Sequence, residues 1–357
     1  MNKVLAILME PAQYTLDRNS AIYDPMGIDY IYLHGKSAAS NVQVSAERQV
    51  KKGTFSRIRS TRSYLKNYDT VIINGYNSLE FILFWMLNLW YKKVIAIESD
   101  TPLRIPQTCL KRLLKFLYLH LIFSPKWIYG LAGGSVSHVQ LFSHYGMPAN
   151  RIYLMPMVID TNKFIKLKKD LNKNSSSIFR FLYVGRLVEC KDLPVLLQAF
   201  STLNKKHNNT ELVLVGNGEL ESLLKGQWNN YKGITFAGVQ YGECLLDFYR
   251  KSDCLILPSK SEPWGLVVNE ALAAGLPVIV SDSVGARWDL VENPNTGIVF
   301  PTGNAEELGK AMEKMISDSD FYQSCSKNAA DLMHNHWNFT FYKKCLEEFL
   351  HETGKSQ

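Results

Sequence analysis

The stretch CLILPSKSEPWGLVVNEALAAGLPVIVSD, residues 254–282, holds one complete structural unit. An apolar run (CLILPS, 254–259) passes through a polar loop into an apolar, alanine-rich segment, and beyond Gly275 a second apolar run follows (PVIVSD, 277–282). Short uninterrupted apolar runs on either side of a helix-like segment read as two buried parallel strands and their crossover helix. The alternation extends to both sides, with FRFLYVG (179–185), ELVLVG (211–216), GITFAG (233–238) and GIVF (297–300) as further strands. The first half repeats it more loosely in VLAILM (4–9), IDYIYL (28–33), TVIING (70–75), KVIAIE (93–98) and RIYLMP (151–156). The expected class is therefore α/β, with a doubly wound parallel sheet in each half.

A chain of 357 residues, 46% hydrophobic and 20% charged, has the apolar material for large cores and not the composition of a disordered protein. Its length points to two domains. Residues 166–177, polar and without period, read as the linker between 1–165 and 178–335, with 336–357 as a final amphipathic helix. No repeat of solenoid or propeller length is visible. Residues 1–170 carry 22 Lys+Arg against 11 Asp+Glu, and residues 171–357 carry 18 against 22, so only the first half favours an anionic partner. The six cysteines form no CxxC pair and no leader precedes the first strand, which predicts free thiols in a reducing cytoplasm. No apolar run reaches the length of a spanning helix. Residues 107–123 (QTCLKRLLKFLYLHLIF) do combine Lys111, Arg112 and Lys115 with Leu113, Phe116, Leu117 and Tyr118, a pattern suited to an anionic membrane surface, although a core helix with a basic outer face also accounts for it.

In open α/β sheets ligands bind beyond the carboxyl ends of the strands, so the chemistry is sought there. After the strand ending at Gly185 come Arg186 and Lys191, a pair of cations suited to an anion, followed by Asp192 as a candidate N-cap and Pro194 in the first helical turn. After CLILPS come Glu262 and, eight residues on, Glu270, two turns into the helix and able to face the same crevice. Gly265 permits a close backbone approach, and the N–H groups of the first turn, at Leu266 and Val267, form an anion site. Each carboxylate can accept hydrogen bonds from a vicinal diol, Glu262 from a sugar ring and Glu270 from a ribose. A Glu among Val267, Val268, Ala271 and Leu272 requires a partner if it is buried.

Gly185-Arg186 with Lys191, Gly216-Asn217-Gly218 and the Glu262-x7-Glu270 segment resemble the retaining glycosyltransferases of family 4, over residues 178–302. The resemblance implies the GT-B fold, two Rossmann-like domains facing a cleft, with the first acceptor-side and the second binding a nucleotide-sugar. It implies that Arg186 and Lys191 contact the diphosphate, that Glu262 contacts the transferred sugar, that Glu270 holds the ribose, and that the base lies near Val239 and Leu245. It also implies that the last helix crosses back onto the first domain. Two departures stand out: the first strand runs into Met9-Glu-Pro-Ala-Gln-Tyr14 without a glycine-rich loop, and Glu98-Ser-Asp100 stands where the family commonly has a His. Glu98 and Asp100 are thus acceptor-side candidates by position, as are Gly134 and His138, with a capping turn before Pro102 as the plainer account of the acidic pair. Asp318-Ser-Asp320 spells the metal motif of another transferase fold but follows no strand, so no metal site is assigned.

The expected function is a retaining glycosyltransferase of hexosyl or N-acetylhexosaminyl units, from a UDP- or GDP-linked donor to a glycan or lipid-linked oligosaccharide. The setting would be cell-surface polysaccharide synthesis (lipopolysaccharide, O-antigen or capsule), peripheral on the inner face of the cytoplasmic membrane, without metal or cofactor and without nucleic acid. A nucleotide-sugar epimerase or hydrolase on the same scaffold stays open. A non-enzymatic membrane-surface module explains the basic first half but not the Glu pair, and a dinucleotide oxidoreductase lacks its G-x-G-x-x-G.

Overall fold

The computed structural model describes residues 2–36, 43–45, 48–50, 53–165 and 178–355; the expected linker 166–177 lies outside the described residues. The chain divides into two compact units, Met1–Asp160 with Phe339–Gln357, and Thr161–Asn338.

The first unit holds strands β1 (Val4–Leu8), β2 (Asp29–Tyr32), β3 (Thr70–Asn74), β4 (Val94–Ser99), β5 (Ile128–Ala132) and β6 (Ile152–Leu154), in the order β2-β1-β3-β4-β5-β6 and all parallel. β1 is buried along its whole length, which is why it reads as an unbroken apolar run, and β4 is buried throughout as well, Glu98 and Ser99 at its end included. The second unit holds β7 (Phe179–Val184), β8 (Thr210–Val215), β9 (Ile234–Gly238), β10 (Cys254–Leu257), β11 (Val278–Ser281) and β12 (Gly297–Phe300), also parallel, in the order β12-β11-β10-β7-β8-β9. In each sheet the chain winds one way and then returns past its starting strand. The order therefore reverses between β1 and β3 in one unit and between β7 and β10 in the other, and at such points the loops beyond the carboxyl ends part into a crevice.

The division falls a few residues before the expected boundary at 165. Helix Asn162–Ile165 belongs to the second unit because the Phe164 ring packs edge-on against Tyr249, at 5.8 Å and 78°. The last helix, Phe339–Lys355, belongs to the first: Phe349 packs on Tyr129 and Tyr153 at 5.9 and 5.2 Å, and the Tyr342 hydroxyl meets that of Tyr23 at 2.9 Å. Among the described residues no two cysteines are joined in a disulfide. Among the described residues no helix is long and apolar enough to cross a membrane.

Candidate active site

Lys191 and Glu262 come from the loops after β7 and β10, the two strands that flank the reversal in the second sheet. The Lys191 ammonium and the Glu262 carboxylate form an ion pair with each partner about seven-eighths buried, and Ser259 Oγ donates to the same carboxylate oxygen at 3.4 Å. Backbone bonds hold the loops in register. Lys260 N–H donates to Cys190 O at 2.8 Å, Glu262 N–H to Ser283 O at 3.3 Å and Gly285 N–H to Glu262 O at 3.1 Å. Arg186 stands exposed next to them; its carbonyl accepts from the Tyr183 hydroxyl at 2.7 Å, and no acidic side chain pairs with its guanidinium among the described residues.

Two glycines let the loop after β8 lie close against the loop after β7. A side chain at Gly216 (φ +134°) would place its Cβ 1.9 Å from Gly185 O, and one at Gly218 would stand 2.4 Å from Leu187 O. Gly265, at φ +99°, starts helix Leu266–Ala273, whose first turn no side chain caps, so its N–H dipoles are turned outward beside Leu266 and Val267, both half-buried. The loop before it is anchored by Trp264, which donates from Nε1 to Asn269 Oδ1 at 2.8 Å and stacks on Trp337 at 5.8 Å.

Glu270, half-buried in the second turn of that helix, accepts a hydrogen bond from the buried Tyr249 hydroxyl. Burial pushes its carboxyl pKa up, against the opposing pull of the Tyr249 bond and the Lys163 charge. Tyr249 is the partner that sequence reasoning missed; it lies one turn after Leu245 on helix Gly242–Lys251. Val239 is exposed just past β9, and Leu245 is half-buried on the helix that carries Tyr249. Asp192 stands at the helix start as expected but does not cap it. At φ +51° its carboxylate turns instead to Lys260, at 3.2 Å, because that lysine is tied to the preceding turn.

The acceptor-side candidates fare differently. Glu98 is a buried strand residue paired with Arg18 at 2.8 Å, with Asn74 and Tyr342 each 3.4 Å away, so most of its hydrogen-bonding capacity is spent inside the fold. The Arg18 guanidinium lies 4.9 and 5.2 Å from the Tyr23 and Tyr342 ring centres, and burial raises the Tyr14 and Tyr23 hydroxyls to about 12. Asp100 is exposed and lines, with Glu98, a cavity of about 640 Å³ at the β1/β3 reversal and a recess of about 60 Å³ behind it. Gly134 and His138 line neither. Both are buried, His138 fully, and Gly133 takes their place at the recess. Asp318 caps helix Ser319–Asp331 through Phe321 N–H at 3.0 Å, which accounts for the DxD. Among the described residues no group of three His, Cys, Asp or Glu side chains converges as a metal site.

Residues 164–332 match the model of the glycosyl transferases group 1 family. An uncharacterized glycosyltransferase of Methanocaldococcus jannaschii is 32% identical over 151 residues, 42% of this chain and 38% of that protein. The capsular polysaccharide biosynthesis glycosyltransferase CapM of Staphylococcus aureus is 28% identical over 192 residues, 52% and 49% of the two chains. The chain thus spans about half or less of these relatives' length. Anabaena HepE, solved in complex with UDP, superposes with a TM-score of 0.76 at 16% identity, over 98% of this chain and all of that one. WaaG, a glycosyltransferase involved in lipopolysaccharide biosynthesis, gives 0.66 at 16% identity, over 97% and 99%. The chain has the GT-B fold, and its second unit carries the segment that matches the group 1 glycosyl transferases.

Proposed function

We propose that this protein is a retaining glycosyltransferase of family 4 that moves a hexosyl or N-acetylhexosaminyl unit from a UDP- or GDP-linked donor to a glycan or lipid-linked acceptor in cell-surface polysaccharide synthesis. The observation that carries the reading is the meeting of Lys191, Glu262 and the uncapped start of helix Leu266–Ala273 at the strand reversal, with Glu270 held by Tyr249 one turn along. HepE, solved with UDP and glucose, and CapM and WaaG, named for capsule and lipopolysaccharide synthesis, support the donor and the setting.

In this reading Lys191, Arg186 and the helix N–H groups take the diphosphate, Glu262 takes sugar hydroxyls and Glu270 the ribose diol. The acceptor oxygen bonds to the anomeric carbon as its bond to the diphosphate breaks, on the same face. The acceptor's proton passes to the leaving phosphate, which departs as nucleoside diphosphate. Charge grows on that leaving group, and fixed cations and dipoles meet it without metal. The exposed leucines of helix Cys109–Phe123 favour a peripheral place on an anionic membrane face over a core helix.

Turnover of the donor with Arg186→Ala or Lys191→Ala, in EDTA, tests the assignment. Each variant should lose about 10²–10³ in rate with the fold intact. Near-normal turnover, or activity that returns only with Mn²⁺, would contradict it, and donor consumption without an acceptor would favour the hydrolase or epimerase. Product with the donor's anomeric configuration is the expected stereochemistry.

A further inference from the structure

Every exposed residue of helix Leu79–Tyr91 is apolar: Leu79, Ile82, Met86, Leu89 and Trp90, 38–78% exposed. At 3.6 residues per turn they fall on one face about 100° wide, where a water-facing helix carries polar groups. Its single charged side chain, Glu80, is turned to Arg57 at 3.3 Å. Helix Cys109–Phe123 lies beside it, joined by Trp85 Nε1, which donates to Ile122 O at 3.2 Å, and to the turn before it by the Tyr118 hydroxyl, which donates to Tyr76 O at 3.1 Å. It turns Leu110, Leu113, Leu114, Leu117 and Leu121 outward, 55–68% exposed, and buries Leu119, Ile122 and Phe123 instead. Ten apolar side chains on two neighbouring helices form a patch of the kind that marks an interaction surface, not a scatter of single residues.

We propose that these two helices are a lipid-contact face whose occupant is an anionic bilayer, with helix Leu79–Tyr91 entering the hydrocarbon alongside Cys109–Phe123. The charge decides the occupant. No Asp or Glu occurs between Asp100 and Asp160, while Lys92, Arg104, Lys111 and Arg112 are exposed around the patch. An anionic surface complements that distribution. A second copy, related by a two-fold axis, would set the same cations against one another. Trp90 and Tyr91 end the helix next to Lys92, the order found where chains cross from hydrocarbon to headgroups. Leu79 also lines the larger cavity, so its mouth sits at the membrane surface; given the transferase reading above, the acceptor is then an amphiphile whose polar end enters that cavity.

Flotation of the full chain with vesicles of phosphatidylcholine, with and without phosphatidylglycerol, tests the face without any transfer assay. The chain should float with the anionic vesicles and be released by salt. Met86→Glu/Trp90→Glu should partition at least tenfold more weakly, and so should Leu113→Gln/Leu117→Gln, which guards against one variant failing to fold. The emission difference between the native chain and Trp90→Phe should move to the blue on binding. A chain that stays in solution with both vesicles, variants that float like the native chain, or a dimer in light scattering that Met86→Glu/Trp90→Glu splits would each overturn the proposal. Donor binding measured on the same samples separates the two readings: lost flotation with intact donor binding leaves the transferase standing, and the reverse leaves the lipid face.

Discussion

Lys191 and Glu262 neutralise each other in the structure, so a diphosphate that takes the lysine must displace the carboxylate. Glu262→Gln removes that competitor and should bind UDP or GDP alone up to about tenfold more tightly, a gain of ~1.4 kcal/mol by titration calorimetry, while transfer falls. Weaker binding would mean that Glu262 organises Lys191 instead of competing for it. Glu270 gives a pH test. Its raised carboxyl pKa means that the folded chain holds a proton that the unfolded chain has released, so stability falls as pH rises above the ordinary carboxylate range. Glu270→Gln, which keeps an acceptor for Tyr249, should therefore melt higher than the native chain at pH 7, with the difference closing toward pH ~4.3, the ordinary value. A native chain that melts higher at pH 7 would contradict this. The sequence showed Glu262, Glu270, Arg186 and Lys191 through their spacing after strands. It did not show Tyr249, because that partner is fixed by packing across helices, nor that Glu98 is engaged by Arg18, 80 residues earlier.

Among the elements, most strands were legible because central parallel strands buried on both faces have no polar alternation to confuse them, but β5 (Ile128–Ala132) went unread because Gly130 and the half-buried Tyr129 break its short apolar run. Their ends shift by a residue or two where the apolar run outlasts the ladder, as at Gly185 and Gly216. Those glycines show what the pattern leaves out. Gly216→Ala has no room beside Gly185 O and should cost about 1–3 kcal/mol, or several degrees in melting temperature, along with donor binding. An unchanged melting temperature would show that the loop has slack. The leucine pattern of residues 109–123 left open which way the helix faces, since the face that packs is chosen by the sheet, and here it is the Leu119/Ile122/Phe123 side.

At the scale of the molecule, the excess of positive charge lies in the unit where the apolar helices are exposed, 21 Lys+Arg against 13 Asp+Glu, while the unit where the donor is proposed to bind is close to neutral, 19 against 20. The last helix closes the first unit through Tyr342, which touches Tyr23 and the Arg18–Glu98 pair. Tyr342→Phe should cost about 1–3 kcal/mol by leaving buried partners unsatisfied, read as a lower melting temperature with donor affinity unchanged. The GT-B architecture was readable from the second half alone, whereas the role of the first unit's cavity, where this chain departs from the residues of the family it resembles, was not. The most direct test of the central claim is a thermal-shift titration of the full chain with UDP-, GDP- and dTDP-sugars in EDTA, because only a ligand of the folded state raises the melting temperature with concentration. One nucleotide-sugar should stabilise the native chain in a saturable way, and Lys191→Ala should abolish most of the shift. No shift with any of them, or an equal shift in the variant, would contradict the account.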